Sequence, residues 1–150
     1  AAERSGADAV TISNLFPGTG YHTGVGRATG LGTGPRQIGE NLVAHGKGGY
    51  SGKAMHSPVL LMISTLRRYL RIPVIGTGGC ASDLDSLVQT FMEGATAVAA
   101  VTPFYFDSPD RIEALDAVKD LVDQLKAYLE TNGMENPAAL YELRRMRAGA

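Results

Sequence analysis

The clearest chemistry in this chain lies in Gly76-Thr-Gly-Gly79. This stretch follows a short apolar run, Ile72 to Ile75, and precedes Ser82-Asp-Leu-Asp85, which has the composition of a helix start with Ser82 as N-cap. A strand that ends in glycines and turns at once into a helix makes an anion site. Glycine lets the backbone approach closely, and the first-turn N–H groups and the helix dipole favour a phosphate. The alternative is that Gly76, Gly78 and Gly79 do no more than make a tight turn. Further along the arrangement nearly repeats. Gly94-Ala-Thr-Ala-Val-Ala-Ala-Val-Thr102 is a second apolar strand, and it ends in a hydroxyl residue before Pro103. Two consecutive strands whose C-terminal ends both reach one phosphate suggest the last two strands of a (β/α)8 barrel.

Asn14 follows a β-rich run, Ala7-Asp-Ala-Val-Thr-Ile-Ser13. At the C-terminal end of a barrel strand it faces the active site, and its amide offers both a donor and an acceptor to a heterocyclic ring. Equally, Asn14 can bond the turn that follows it. Cys80 stands beside the glycines but on the phosphate side, and reads as a structural thiol rather than a base. His22 and His45 read as exposed loop residues, because no pair of His, Cys or carboxylates has metal-ligand spacing.

The elements that position these residues alternate. The first strand is followed by a glycine-rich loop, residues 15–47, read as a flap over the barrel mouth with a short helix near Gln37 to Ala44. Gly48-Gly-Tyr-Ser-Gly52 is a second glycine cluster, aimed at the same region as Gly78 and Gly79. A helix then opens at Ser57-Pro58, with Val59, Met62, Ile63, Leu66 and Leu70 as its apolar stripe. Arg67 and Arg68 read as its solvated C-terminal end. Strand Ile72 to Ile75, helix Ser82 to Glu93, terminating Gly94, and strand Thr96 to Val101 follow. A long helix opens at Ser108-Pro109 and closes at Gly133, its core stripe being Ile112, Leu115, Val118, Val122, Leu125 and Leu129. Asn136-Pro137 starts a last helix, read as a surface tail. Strands alternating with helices mean a parallel α/β sheet whose strands are buried on both faces.

Only three strands are legible, whereas a complete barrel has eight in about 250 residues. The expected fold is therefore the C-terminal part of a TIM (β/α)8 barrel, about three βα units over residues 1–134 with a helical tail at 135–150. The totals agree with an ordinary globular domain: 150 residues, 44% hydrophobic, formal net charge -1. Near-neutral charge gives no argument for nucleic acid or an anionic membrane. A lone cysteine excludes an internal disulfide and makes a reducing, cytoplasmic setting the default. No run is long and apolar enough to span a bilayer.

Taken together, Asn14 after Thr-Ile-Ser13, Gly48-Gly-Tyr-Ser-Gly52, Ile72-Pro-Val-Ile-Gly-Thr-Gly-Gly79, Glu93-Gly-Ala-Thr-Ala-Val98 and Val101-Thr102 resemble the C-terminal half of the dihydroorotate dehydrogenase family. The catalytic domain of dihydropyrimidine dehydrogenase shares the pattern. The resemblance implies an FMN-dependent oxidoreductase. By position, Gly52, Gly78, Gly79, Val101 and Thr102 would hold the flavin phosphate, Ser13 would lie beside the flavin, and Asn14 with Leu15 would meet the substrate. Leu15 replaces the family's usual Ser or Thr, which removes one hydrogen-bonding group. Val101 replaces a usual glycine and leaves only its backbone N–H for the phosphate.

The family's base, a Cys or Ser, belongs to earlier strands, so no catalytic residue is assigned in this chain and no metal is implied. The function so implied is oxidation of dihydroorotate to orotate in pyrimidine biosynthesis. The alternatives are a dihydropyrimidine dehydrogenase-like enzyme of pyrimidine catabolism, a phosphate-binding barrel without flavin, and an inactive fragment. The implied partners are a small dihydropyrimidine, further copies of the chain and an electron-transfer subunit. Nucleic acid and membrane are not among them. Alone, the chain is expected to lack turnover and to associate through two uncovered sheet edges.

Overall fold

The computed structural model describes residues 2–13, 16–18, 48–50, 52–100 and 111–148. Asn14, Leu15, Val101 and Thr102 lie outside the described residues. So do the expected flap with His22 and His45, the short helix near Gln37, and the Ser108-Pro109 opening of the long helix.

β-branched residues build the sheet, as their packing on a pleated surface favours. Strands β1 (Val10–Ile12), β4 (Val74–Gly76) and β5 (Ala97–Val98) are parallel in the order β1–β4–β5. Val10 stands opposite Val74 and Ile12 opposite Gly76, while Gly76 stands opposite Val98 on the other side. Each strand is shorter than the sequence suggests, by one to four residues at its ends. One feature was not legible in the sequence. Strands β2 (Phe16–Gly18) and β3 (Gly48–Tyr50) form an antiparallel ribbon in which Phe16 faces Tyr50 and Gly18 faces Gly48. The ribbon joins the two ends of the glycine-rich stretch, and it brings the Gly52 turn back to the first strand.

Helix α1 (His56–Arg67) packs on the sheet. Val59 and Ile63 are fully buried against Ile12 and Val74, with Met62, Leu66 and Leu70 partly buried beside them. The expected stripe is therefore the packed face. The expected cap is not: a 3-10 turn, Lys53–Met55, runs straight into the helix, leaving Ser57 inside it and no side-chain cap. Pro58 is the third helical residue, where its missing N–H is still one the helix does not use. Helix α2 (Leu84–Met92) is short and nearly surrounded; Leu87, Val88 and Phe91 are buried against α3 (Arg111–Thr131) and α4 (Ala138–Ala148).

Two expectations change here. On α3, Leu125 and Leu129 are buried but Leu115 is 59% and Val122 42% exposed. The nine-residue α2 is too short to cover all of the 21-residue α3 and packs on its Leu121, Leu125 and Leu129 side only. The sheet is likewise covered on one face by described residues: Val74 is buried while Thr11 is exposed, the alternation of a half-covered strand. Gly94 and Gly133 do end their helices, both at positive φ.

The last helix is more than a surface tail. Asn136 caps it, its Oδ1 accepting from the Ala138 N–H at 3.0 Å. Leu140 is 1% exposed in the cluster with Leu87 and Phe91. Arg144 pairs with Glu93 at 3.0 Å. Tyr141 lies 5.9 Å from the Arg67 guanidinium and 5.8 Å from that of Arg145. Arg67 also donates to the Ile72 carbonyl. It is thus a strut between α1 and α4 rather than a solvated end, and a Cβ on Gly94 would meet its side chain at 2.7 Å. Among the described residues no helix is long and apolar enough to cross a membrane.

Leu140→Ala should lower unfolding free energy by about 2–4 kcal/mol, the cost of a buried leucine cavity. Urea denaturation followed by circular dichroism measures it; an unchanged midpoint means that α4 does not belong to the core. Cys80 is 1% exposed, and burial pushes its thiol up from the ordinary value, although a hydrogen bond with Thr90 works the other way. Its reaction with Ellman's reagent at pH 8 should be at least roughly a hundredfold slower in the folded chain than in denaturant. Because the folded thiol ionises at higher pH than the unfolded one, its contribution to stability is intact below the unfolded range. That contribution fades as pH rises through the folded one.

Candidate functional site

The site lies where β1 and β4 end. The Thr77 hydroxyl donates to the Ser13 carbonyl at 2.7 Å and the Thr77 N–H bonds the Ile12 carbonyl, so the two strand ends are fastened side by side. The chain then turns through Gly78 at φ 84 and Gly79 at φ 81, a region where a Cβ is strained. Space excludes side chains as well. A Cβ on Gly79 would stand 2.5 Å from the Gly52 carbonyl oxygen and 3.1 Å from Lys53 Cα. A Cβ on Gly78 would stand 3.2 Å from Val59 and 3.9 Å from the Ser13 hydroxyl oxygen. Gly52 itself has φ 87 and its carbonyl accepts from the Met55 N–H, closing the turn that starts α1.

Four of the sequence-predicted residues, Ser13, Gly52, Gly78 and Gly79, therefore come together at one end of the sheet from three separate segments. Bare backbone faces bare backbone there, beside the first turns of α1 and α2. Glycine turns that lead into helix starts are the kind of backbone on which an anion can be held by N–H groups.

The start of α2 differs in detail from expectation. The N-cap is Asp83, not Ser82. Ser82 is still in the glycine turn, its N–H bonded to the Gly79 carbonyl, so the helix begins one residue later. Asp83 is extended, φ -163, and its Oδ1 accepts from the Ser86 N–H at 2.8 Å. Its other oxygen pairs with Lys53 Nζ. The Lys53 ammonium, followed by the Ser86 contacts, holds the Asp83 carboxyl well below the usual carboxylate range, and Lys53 is raised in turn by its bond to Asp83. This pair joins the residue after Gly52 to the cap beyond Gly79. Thirty residues separate the partners, and no local periodicity announces them.

Beneath the glycine turn lies a buried polar group. Thr90 donates to the Ser86 carbonyl at 2.7 Å, so its oxygen accepts from His56 Nε2 at 3.2 Å. His56 went unnoticed in the sequence because a lone histidine at a helix start has no local signature. Cys80 Sγ bonds the Thr77 carbonyl at 3.4 Å and faces the core. Among the described residues no group of three or more His, Cys, Asp or Glu could hold a metal ion.

A solved crystal structure of ligand-free dihydroorotate dehydrogenase from Eimeria tenella superposes with a TM-score of 0.60 at 20% identity, covering 93% of this chain and 33% of that one. The fold is therefore part of a (β/α)8 barrel. Dihydroorotate dehydrogenase A (fumarate) of Lactiplantibacillus plantarum is 32% identical over 142 residues, 95% of this chain and 40% of that protein. The catalytic subunit of dihydroorotate dehydrogenase B (NAD(+)) from Alkaliphilus oremlandii is 32% identical over 124 residues, 83% of this chain and 36% of that one. The chain thus spans about 40% of the length of the curated relatives it matches. The family model described as dihydroorotate dehydrogenase matches residues 26–129. A family match over more than half its length places this chain in the dihydroorotate dehydrogenase family.

Proposed function

We propose that this chain forms the phosphate-holding part of an FMN-dependent enzyme that oxidises dihydroorotate to orotate in pyrimidine biosynthesis. The observation that carries the reading is that the Gly52 and Gly79 turns meet backbone to backbone near the ends of β1 and β4, so closely that a Cβ on Gly79 would strike the Gly52 carbonyl. The residues present fit a phosphate ester: positive-φ glycines and two helix starts, with hydroxyl groups at the strand ends. Gly52, Gly78 and Gly79 would hold the phosphate with Val101 and Thr102, and Ser13 would lie beside the flavin. When bound, FMN supplies the acceptor for a hydride from the substrate.

This chain's own part is binding and orientation. Asn14 is next to Ser13 in the sequence, and by the family resemblance its amide would fix a pyrimidine ring by one donor and one acceptor. Leu15 would close the same side with an apolar surface. By the family resemblance, proton removal would fall to a Cys or Ser of an earlier strand; Cys80 faces the core. Relatives named for fumarate and for NAD(+) are equally similar, which supports the substrate half of the reaction that both share. The reading also makes the protein a cytoplasmic homo-oligomer, with a redox subunit as a candidate partner of the kind the name "catalytic subunit" implies for its relatives.

Two substitutions test it in the complete enzyme. Gly79→Ala should abolish flavin retention, because its Cβ would push the Gly52 carbonyl aside, whereas Gly78→Ala, which meets a side chain that can yield, should reduce it less. Flavin absorbance per chain after gel filtration decides; full occupancy in Gly79→Ala would sink the phosphate assignment. Asn14→Ala should keep FMN and lower kcat/KM for dihydroorotate by about 5- to 150-fold, the effect of leaving ~1–3 kcal/mol of hydrogen bonding unmade. An unchanged kcat/KM would make Asn14 a turn residue.

A further inference from the structure

A carboxylate stands where an anion is to be bound. Asp83 caps α2 four residues after Gly79, and its charge would repel a phosphate seated at that helix start. It cannot be discarded without loss, because its Oδ1 satisfies the Ser86 N–H. Lys53 answers both facts. Its Cα is 3.1 Å from the position of a Gly79 Cβ, at the edge of the seat, and its ammonium pairs with the Asp83 oxygen that the cap leaves over. The pair is not a strong fastener. The Lys53 side chain is 71% exposed and that of Asp83 38%, and such pairs add little to stability. The two turns are already held by the packing of α1 and α2 and by the bond between His56 and Thr90. What the ammonium changes is the field at the seat.

Building on the phosphate reading above, we infer that Lys53 is the counter-charge of the phosphate seat, a positioning residue that cancels the Asp83 carboxylate and so sets affinity for a dianionic phosphate ester. Lys53 acts through Asp83 and not by gripping the phosphate itself. Asp83 stays ionised throughout the working range, so the need for the counter-charge is constant.

The test is a fluorescence titration of FMN and of riboflavin, which lacks the phosphate, against the full chain and three variants. Asp83→Asn removes the charge and keeps the cap, since Asn caps as well as Asp. Lys53→Met should weaken FMN binding roughly tenfold, the scale of one uncancelled charge at partly screened range. Asp83→Asn should bind FMN at least as tightly as the unaltered chain. The double variant Lys53→Met with Asp83→Asn should return to within roughly twofold of it, again because the net local charge is restored. Riboflavin affinity should be unmoved in all three. A double variant as weak as Lys53→Met overturns the inference, because Lys53 would then touch the phosphate directly. Weakening by Asp83→Asn equal to that by Lys53→Met also overturns it, because the pair would then act as a fastener. If the unaltered chain binds FMN no better than riboflavin, the phosphate reading fails and the inference falls with it. If it prefers FMN and the variants do not differ, the inference alone fails.

Discussion

The structure depends on one close approach. Between the Gly52 carbonyl and Gly79 there is no room for a methyl group, and both residues hold a positive φ. Everything around this contact serves to bring two backbones that close without a side chain between them. The antiparallel ribbon of β2 and β3 returns the chain to Gly52, and α1 starts from it. The Ile12 and Ser13 carbonyls fix Thr77, which launches the Gly78–Gly79 turn. A site made of backbone is insensitive to which side chains flank it, and it is demanding about spacing.

Spacing is set from below by a tight interior. Gly76 is enclosed by Thr90, Ile63 and Cys80, and a Cβ there would meet the Thr90 methyl at 2.8 Å. Thr90 in turn links His56 at the start of α1 to the body of α2. The two helices whose N-termini flank the seat are thereby joined through one buried hydroxyl, close under the turn they serve. Partnered polar groups of this kind fix an arrangement that apolar packing alone leaves free to slide. On the far side α4 completes the enclosure of α2 through Leu140, and Arg67 and Tyr141 wedge against Gly94.

What remains uncovered is as orderly as what is covered. Among the described residues β1 and β5 each lack a second neighbour, one face of the sheet is partly open, and α3 shows Leu115 and Val122 to solvent. These are the surfaces that adjoining βα units occupy in a closed barrel. They match a chain that spans about 40% of the relatives it resembles.

The sequence alone determined the alternation of strands and helices, the stripe of α1 and the glycines that end helices, because these follow from local periodicity and from φ preference. It offered Gly78 and Gly79 as a candidate seat with a plain tight turn as the alternative, and Gly52 was assigned to the same seat by the family resemblance. It placed one cap a residue early, at Ser82, because either Ser or Asp can cap and only the bond from Ser82 to the Gly79 carbonyl chooses. It read Arg67 as solvated and the last helix as a tail, because burial of Leu140 depends on where α2 lies. Tertiary structure alone decided that Gly52 and Gly79 touch, that Lys53 meets Asp83, and that His56 meets Thr90. Such pairings lie some thirty residues apart with no shared period, so they exist only once the chain has closed on itself.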